Sequence, residues 1–323
     1  MTPLDINIDA SSLSSSGCTL EWYRRVVQGY RAPRVNNDII YGVAVHKFID
    51  TMFQTGGDMK AARDAAFKAF RIPKYDKPKK LYMSDERHML ATCFDYWENV
   101  VSKEATFDII KLPNGKPATE LTFRFLWRDY DGVRIWLCGT MDKLGKIKNG
   151  CYAVGDYKTT SSWDEDNYFK TYELSVQLRF YIYALKQMAI HYPDSVLGQV
   201  GATNVGAFID ALFIKAKVVE NEYKRSDVFQ FKPDHMAEFE SMLITRVTRF
   251  VEHIKLIQEG QFKRPFKEGI IAGCCERKFG KCDFWNVCKS SDDVAEVLLK
   301  RDFITKPYDP LNFNTPAEEL KQV

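Results

Sequence analysis

The chain has 323 residues, of which 45% are hydrophobic and 28% are charged, enough for one large domain or two modest ones. Its net charge is only +3, so no overall basic field attracts nucleic acid, and any such site must be a local patch. The sequence has no run of about 18 apolar residues, which excludes a membrane-spanning helix, and its N-terminus does not resemble a secretory signal. We therefore expect a cytoplasmic protein.

The predicted elements change along the chain from helices to strands and then to a mixture of both. Apolar periodicity predicts helices at 18–25, 43–49, 61–70, 84–101, 164–190 and 234–258. Runs rich in β-branched and aromatic residues predict strands at 119–127, 133–144, 151–159, 207–216 and 228–231. This order predicts a mixed α/β or α+β fold with a central sheet.

The most informative segment is a predicted hairpin at 138–160. Because residues two apart on a strand share a face, Asp156 and Lys158 point the same way, about 6–7 Å apart. A three-residue loop at 148–150 would put Asp142 directly across from Asp156, whereas a two-residue turn would turn Asp156 to the other face. We predict the three-residue loop.

The three charged side chains of this hairpin suit the hydrolysis of a phosphodiester. Two carboxylates on facing strands, here Asp142 and Asp156, can hold a hard divalent cation such as Mg²⁺, which activates a bound water. A neighbouring lysine, here Lys158, can orient that water and stabilise the charge that develops on the phosphate. The alternative is an exposed hairpin with ordinary surface charges, because Asp-x-Lys is a common sequence.

Three short motifs follow one another in the chain. They are Gly139-x-x-Asp142, Asp156-x-Lys158-Thr159 and Gln177-x-x-x-Tyr181. Their order resembles the RecB-like nucleases of the PD-(D/E)XK superfamily, which include RecB and AddB nuclease domains and CRISPR-associated adaptation exonucleases. The resemblance implies a restriction-endonuclease-like α/β fold with a central mixed β-sheet flanked by helices. It also implies hydrolysis of DNA with Mg²⁺ or Mn²⁺. It implies that Asp142 and Asp156 bind the metal and that Lys158 serves the attacking water. Gln177 and Tyr181 would support the catalytic site and contact DNA.

Two upstream residues extend the implied metal site. Gly42-x-x-x-His46 resembles the family's Gly-x-x-x-His helix, which makes His46 a third metal ligand, and Glu120 is a further candidate on the first strand. The resemblance also suggests a division into consecutive parts. These are a helical N-terminal region at 1–105, a nuclease core at 106–260, a cysteine segment at 261–290 that packs with the N-terminal region, and a helix with a mobile tail at 291–323.

Four of the eight cysteines lie at 274–288, and in a reducing compartment such a cluster favours a metal site over disulfides. By resemblance, one N-terminal and three C-terminal cysteines ligate a [4Fe–4S] cluster. The implied ligands are Cys18, Cys275, Cys282 and Cys288. The gap between Cys275 and Cys282 is longer than in the family, and Cys274 is an equal candidate for that position. A Zn²⁺ site with the same ligands, or free buried thiols, are the alternatives.

Basic residues near the first cysteine, Arg24 and Arg25, are the predicted DNA contacts, ahead of a lysine-rich loop at 71–80. Tyr181 joins them by resemblance. The sequence has no G-x-x-x-x-G-K-[ST] motif, so we expect a separate helicase or recombination protein as partner. We expect an exonuclease that acts on DNA ends or single strands in recombination, repair, or phage or CRISPR-type processing, in the cytoplasm of its own cell or of a phage host. An endonuclease or junction resolvase, and a non-catalytic DNA-binding scaffold, are the alternatives.

Overall fold

The computed structural model of the chain describes residues 3–32, 37–70, 80–99, 101, 106–148, 150–162, 164–277 and 280–306. The strands in these ranges are β1 (Leu4–Ile8), β2 (Tyr30–Arg31), β3 (Phe107–Ile109), β4 (Thr119–Tyr130), β5 (Val133–Ile147), β6 (Tyr152–Thr160), β7 (Val205–Phe213), β8 (Glu222–Arg225), β9 (Glu276–Arg277), β10 (Gly280–Lys281) and β11 (Ile304–Thr305). The helices in these ranges are α1 (Ala10–Ser14), α2 (Thr19–Trp22), α3 (Asn37–Gln54), α4 (Met59–Phe70), α5 (Glu86–Asn99), α6 (Glu165–Lys170), α7 (Val176–His191), α8 (Val196–Gly201), α9 (Pro233–Gln258), α10 (Trp285–Lys289) and α11 (Asp292–Asp302). None of these helices is long and apolar enough to cross a membrane.

Seven strands of the described chain form one mixed sheet. Its main path runs β1-β5-β6-β7-β8, and β3 and β4 also pair with β5. Strand β5 is parallel to β1 and antiparallel to β6, whereas β7 is parallel to β6 and antiparallel to β8. Strand β7 is buried along its whole length, as expected for a strand that is covered on both faces. The predicted α/β fold with a central mixed sheet flanked by helices is confirmed.

The chain divides into two compact units, each assembled from segments that are far apart in sequence. The first unit contains Met1–Pro33, Thr122–Gly139 and Lys232–Val323, and the second contains Arg34–Leu121 and Thr140–Phe231. The second unit carries the predicted metal and catalytic residues, and the first carries the predicted cysteine ligands. The predicted division into four consecutive parts stays a prediction.

The helical core of the second unit is formed by α3, α4 and α5. Helix α4 buries one narrow face, because Ala62, Ala66 and Phe70 recur at the spacing of one helical turn. From α3, Phe48 packs edge-to-face on Phe94 of α5, with ring centroids 5.5 Å apart. This packing fixes the helix that carries the predicted histidine ligand.

The first unit is built on the long helix α9. Its predicted apolar stripe is confirmed as buried, and comprises Phe239, Leu243, Val247, Phe250 and Ile254. Trp22 stacks on Phe250 with ring centroids 4.2 Å apart, so an aromatic contact joins the N-terminal part of the chain to this helix. Such a pair adds about 0.5–1.5 kcal/mol beyond the area that it buries.

The predicted helix at 18–25 is interrupted in the structure. Cys18 precedes the short helix α2, and the chain then continues as a π-helical turn over Tyr23–Val27. A π-helical turn changes the direction in which successive side chains point. It therefore alters the positions of the two arginines that the sequence places on a regular helix.

The predicted strand at 228–231 is wrong. The strand that pairs with β7 here is β8, and Phe229 forms only an isolated bridge with Ala207. Between them, the Ile209 amide donates to the Ser226 hydroxyl at 2.9 Å, so a side chain interrupts the backbone ladder. Local β propensity could not reveal this interruption.

Candidate active site

The hairpin that joins β5 to β6 has the register of a three-residue loop, as predicted. Lys143 pairs with Gly155, and one further step along the same register places Asp142 opposite Asp156. Gly150, at the end of the loop, has a φ of +89°, in the left-handed region that this type of loop requires. The turn chemistry therefore decides that the two acids face one another.

Asp142 is buried and directly precedes Lys143, where the pairing of β5 with β6 ends. Its Oδ2 accepts a hydrogen bond from the Tyr157 amide at 2.6 Å, and His46 Nδ1 lies 3.6 Å from the same oxygen. Burial, followed by the charge of Asp156, raises the pKa of Asp142 well above its ordinary value, although Lys158 opposes the shift. A bound cation would relieve the cost of ionising this carboxyl.

Three side chains of the second unit come together as a candidate metal site. The ligand atoms of His46, Glu120 and Asp142 all lie within 4.8 Å of one another, and the described residues contain no second group of this kind. Burial lowers the pKa of His46, which favours the neutral imidazole that can ligate a metal. A donor set of one nitrogen and two carboxylates suits Mn²⁺ and, less well, Mg²⁺. Asp156 is not part of this group, and its role as a ligand stays a prediction.

Glu120 is held in an unusual backbone conformation beside this site. Its φ is +46°, and a residue other than glycine in this region costs about 1–3 kcal/mol unless its surroundings hold it there. Its carboxylate accepts a hydrogen bond from Lys47 Nζ at 2.9 Å. Burial, and then the charge of Glu120, raises the pKa of Asp50, which lies one helical turn after His46. Sequence reasoning missed Asp50, because an acid one turn from a histidine is common on helices.

The structure gives a steric reason for the glycine of the predicted Gly-x-x-x-His motif, Gly42. A Cβ atom at this position would lie 2.8 Å from Thr159 Oγ1, closer than real Cβ atoms come to such a neighbour. Glycine therefore lets α3 approach β6, and His46 follows one helical turn later on the same helix. The motif combines a close backbone approach with a candidate metal ligand.

Asp156 is 1% exposed, and both of its carboxylate oxygens have partners. Gln177 Nε2 lies 3.0 Å from Oδ1 and also 3.0 Å from the Tyr181 hydroxyl, and it donates to both. Lys158 Nζ forms an ion pair with Oδ2. Burial lowers the pKa of Lys158, but the charges of Asp156 and Asp142 outweigh burial and raise it overall. The lysine therefore stays a cation beside the acids.

A buried charge network, which sequence reasoning missed, supports the hairpin. Lys143 is fully buried, and its Nζ donates to Asp210 Oδ2 at 2.5 Å. Arg225 donates to both oxygens of Asp210, at 2.7 and 2.8 Å. The lysine stem passes over Gly155, where a Cβ atom would lie 2.5 Å from Lys143 Cε. The network links β5, β7 and β8, and no local motif announces it, because Lys143 and Asp210 are 67 residues apart.

Five cysteines of the first unit come together, and we call this group the cysteine site. They are Cys18, Cys274, Cys275, Cys282 and Cys288. A Cβ atom at Gly269 would lie 3.1 Å from the Cys18 sulfur and 3.2 Å from the Cys274 sulfur. The Cys282 amide donates to the Cys275 carbonyl at 2.9 Å. Burial and then the other thiols of the site raise the pKa of Cys275. The structure brings all the predicted ligands to one place, and their ligation stays a prediction.

The two arginines predicted to contact DNA have partners within the protein. Arg24 is buried, and its Nη1 donates to the Cys288 sulfur at 3.4 Å. Arg25 donates from Nε to Glu21 at 2.8 Å and from Nη2 to Asp283 at 2.5 Å. Their role in DNA binding stays a prediction.

The other predicted DNA contacts are a buried tyrosine and a loop that lies mostly outside the described residues. Tyr181 is described and is only 6% exposed, so DNA could reach little of its ring in this conformation. Most of the lysine-rich loop, at 71–79, lies outside the described residues, as do loop residue 149 and the C-terminal tail from 307. Lys80 is described, and its Nζ donates to the Ser161 carbonyl at 3.1 Å.

A family model described as the PD-(D/E)XK nuclease superfamily matches residues 14–289. The match covers most of the chain and includes the candidate metal site, so the chain belongs to the PD-(D/E)XK nuclease superfamily. This is a superfamily of metal-dependent nucleases, and membership implies DNA as the substrate. No curated protein matches the chain.

Proposed function

We propose that the chain is a Mg²⁺- or Mn²⁺-dependent deoxyribonuclease of the RecB-like type that acts as an exonuclease on DNA ends or single strands. The proposal rests on two sets of residues that come together at the β5–β6 hairpin. Asp142 lies with His46 and Glu120 in the candidate metal site, and Asp156 lies on the facing strand, paired with Lys158. A non-catalytic scaffold would not need this complete set of acidic side chains beside a charged lysine.

The side chains of the site divide the work of hydrolysis. A divalent cation held by His46, Glu120 and Asp142 would polarise the phosphodiester and lower the pKa of a bound water. Lys158 remains charged, so it can orient the attacking water and stabilise the negative charge that builds on the phosphate. Gln177 fixes one oxygen of Asp156, which keeps the carboxylate turned toward the site. The neutral imidazole supports Mn²⁺ as the metal that binds more tightly.

We also propose that the cysteine site holds a [4Fe–4S] cluster, with Zn²⁺ as the alternative. The donor set fits a thiolate-ligated centre, because five cysteines from two distant segments meet in one unit. A zinc site would use four of the same thiolates. Bound iron and sulfide would support the cluster, and bound zinc would support the alternative.

The pathway and partners belong to the same proposal. The order of the motifs supports a role in recombination, repair, or phage or CRISPR-type DNA processing, with a separate helicase or recombination protein as partner. The proposal includes a reducing compartment such as the cytoplasm, where a cluster of cysteines favours a metal site over disulfides.

Cleavage of end-labelled linear DNA with Mg²⁺ or Mn²⁺ tests the nuclease proposal. Asp156→Asn and Lys158→Met should each lower the rate by about 10²–10⁴-fold, because each removes a group that acts on the reacting atoms. Lys217→Met is the matched control, since Lys217 is exposed and pairs with nearby Glu220. The control should cut like the wild type.

The products and a second substrate separate the alternatives. A ladder that shortens from one labelled end supports an exonuclease and reports its polarity. Cleavage of circular single-stranded DNA would instead establish an endonuclease. DNA binding without metal-dependent cleavage in any variant would replace the proposal with a non-catalytic scaffold, and equal cleavage by wild type and Asp156→Asn would exclude this site.

A further inference from the structure

Arg24 is a buried cation in the first unit. It is 4% exposed and lies in the π-helical turn Tyr23–Val27. Its guanidinium stacks 5.3 Å from the centre of the Phe284 ring, and its Nη1 donates to the Cys288 sulfur at 3.4 Å. A guanidinium does not lose its proton in proteins, so its burial is costly unless a negative charge compensates it.

The charge of the neighbouring Arg25 is compensated in the usual way, by carboxylates. Arg25 lies over the same Phe284 ring, at 5.5 Å, and it forms ion pairs with Glu21 and Asp283. Within the described ranges, no carboxylate forms an ion pair with Arg24, and the cysteine sulfur is its hydrogen-bond acceptor. Two adjacent arginines therefore face different kinds of partner.

A sulfur can compensate a buried cation when it carries the charge of a metal-bound thiolate. Hydrogen bonds and positive charge next to a ligand sulfur hold the ligand and stabilise the more negative, reduced state of a cluster. The fork of a guanidinium is suited to such a fixed contact, because its donors are held in one plane.

We propose that Arg24 is a positioning residue of the cysteine site: its guanidinium donates to the Cys288 sulfur and compensates the charge of a thiolate-ligated metal centre. This assignment rests on the proposed cluster or zinc centre. It replaces the DNA contact that the sequence predicts for Arg24. Arg25, which is neutralised by two carboxylates, orients the segment that carries Asp283.

The test uses the full chain, purified anaerobically, in four forms. These are the wild type, Arg24→Gln, Arg24→Lys and the control Arg264→Gln. The control removes the same charge from an arginine of the same unit that pairs with Asp292. Iron, sulfide and zinc are counted, metal loss to a chelator is timed, and the midpoint potential is measured if a cluster is present. Binding of a single-stranded oligonucleotide is measured in the Asp156→Asn background at two salt concentrations.

Arg24→Gln should lose its metal at least about tenfold faster than the wild type, as expected when a partner of a metal ligand is removed. The midpoint potential of a cluster should move to a more negative value, because a positive charge and a hydrogen bond to sulfur are lost. Arg24→Lys should lie between the wild type and Arg24→Gln, and it keeps the test decisive if Arg24→Gln does not fold. DNA affinity and its salt dependence should not change.

Three results would overturn the proposal, and each identifies a different part of it as wrong. Equal metal retention and potential in Arg24→Gln and Arg264→Gln would remove the role of Arg24 alone and leave the cysteine site intact. A wild-type chain without iron, sulfide or zinc would remove the proposed centre, and the role of Arg24 with it. Unchanged metal retention with weaker DNA binding and a shallower salt dependence would restore the DNA contact.

Discussion

The candidate metal site and the cysteine site are both built around buried charge, but the backbone supports them differently. At the metal site, a strand ladder fixes the separation of Asp142 from Asp156, and a long helix carries His46. At the cysteine site, the predicted ligands lie before a four-residue helix, in a turn, in a loop and in a five-residue helix. Regular elements translate sequence spacing into distance, and irregular segments do not. The metal site should therefore depend on close backbone packing, and the cysteine site on its proposed metal centre and on Arg24.

The largest effect is expected at the hairpin. Gly155→Ala should destabilise the chain by about 2–3 kcal/mol, because the new Cβ would meet the Lys143 stem and the Phe208 ring, both of which are fully buried. Chemical denaturation without divalent metal measures the loss. Gly150→Ala in the same hairpin is the control, because it has a positive φ but no neighbour within 4 Å. It should cost about 1 kcal/mol. Equal losses at the two positions would show that the lysine stem does not constrain the hairpin.

A smaller effect is expected where α3 meets β6. Gly42→Ala should weaken Mn²⁺ binding by about tenfold or more, since the Cβ clash with Thr159 displaces the helix that carries His46. On helix propensity alone, the same change would stabilise the chain by up to about 1 kcal/mol. Titration calorimetry with Mn²⁺ measures the affinity. Adding Thr159→Ala should restore part of it, and wild-type affinity in the single variant would show that the close approach is not needed.

The smallest effect concerns Asp142 and pH. A carboxyl whose pKa is higher in the folded chain than in the unfolded chain makes the folded state lose stability as pH rises between the two values. Without divalent metal, Asp142→Asn should therefore be more stable than the wild type near pH 8, by about 1 kcal/mol. This advantage should shrink as pH falls through about 4 and disappear near about pH 3, where the unfolded carboxyl is also protonated.

Thermal unfolding of the metal-free forms measures the difference, and saturating Mn²⁺ should reverse its sign because only the wild type retains the ligand. A less stable Asp142→Asn at every pH would show that the carboxylate is not under electrostatic strain. Asp164→Asn is a suitable control, because Asp164 is an exposed helix cap whose pKa is lowered by its hydrogen bonds to Asn167.

Local sequence spacing alone predicted which residues face one another in much of the candidate site. The two-residue period of a strand and the three-residue loop were sufficient to place Asp142 opposite Asp156, and the helical period placed Gln177 beside Tyr181. The apolar stripe of α9 and the presence of a central sheet also followed from periodicity. These features are short-range consequences of backbone geometry, so a sequence read without structure can predict them.

Only the tertiary structure decided which distant residues meet. Lys143 finds Asp210 across 67 residues, Glu120 joins His46 and Asp142, and Arg24 faces a cysteine sulfur. The resemblance implied the metal group, but local spacing gives none of these contacts, because each depends on how strands are ordered in the sheet or where an irregular segment turns. Charged side chains carry no local sign of burial, so the sequence marked Arg24 as a surface contact. Folding buried it, and burial requires a partner.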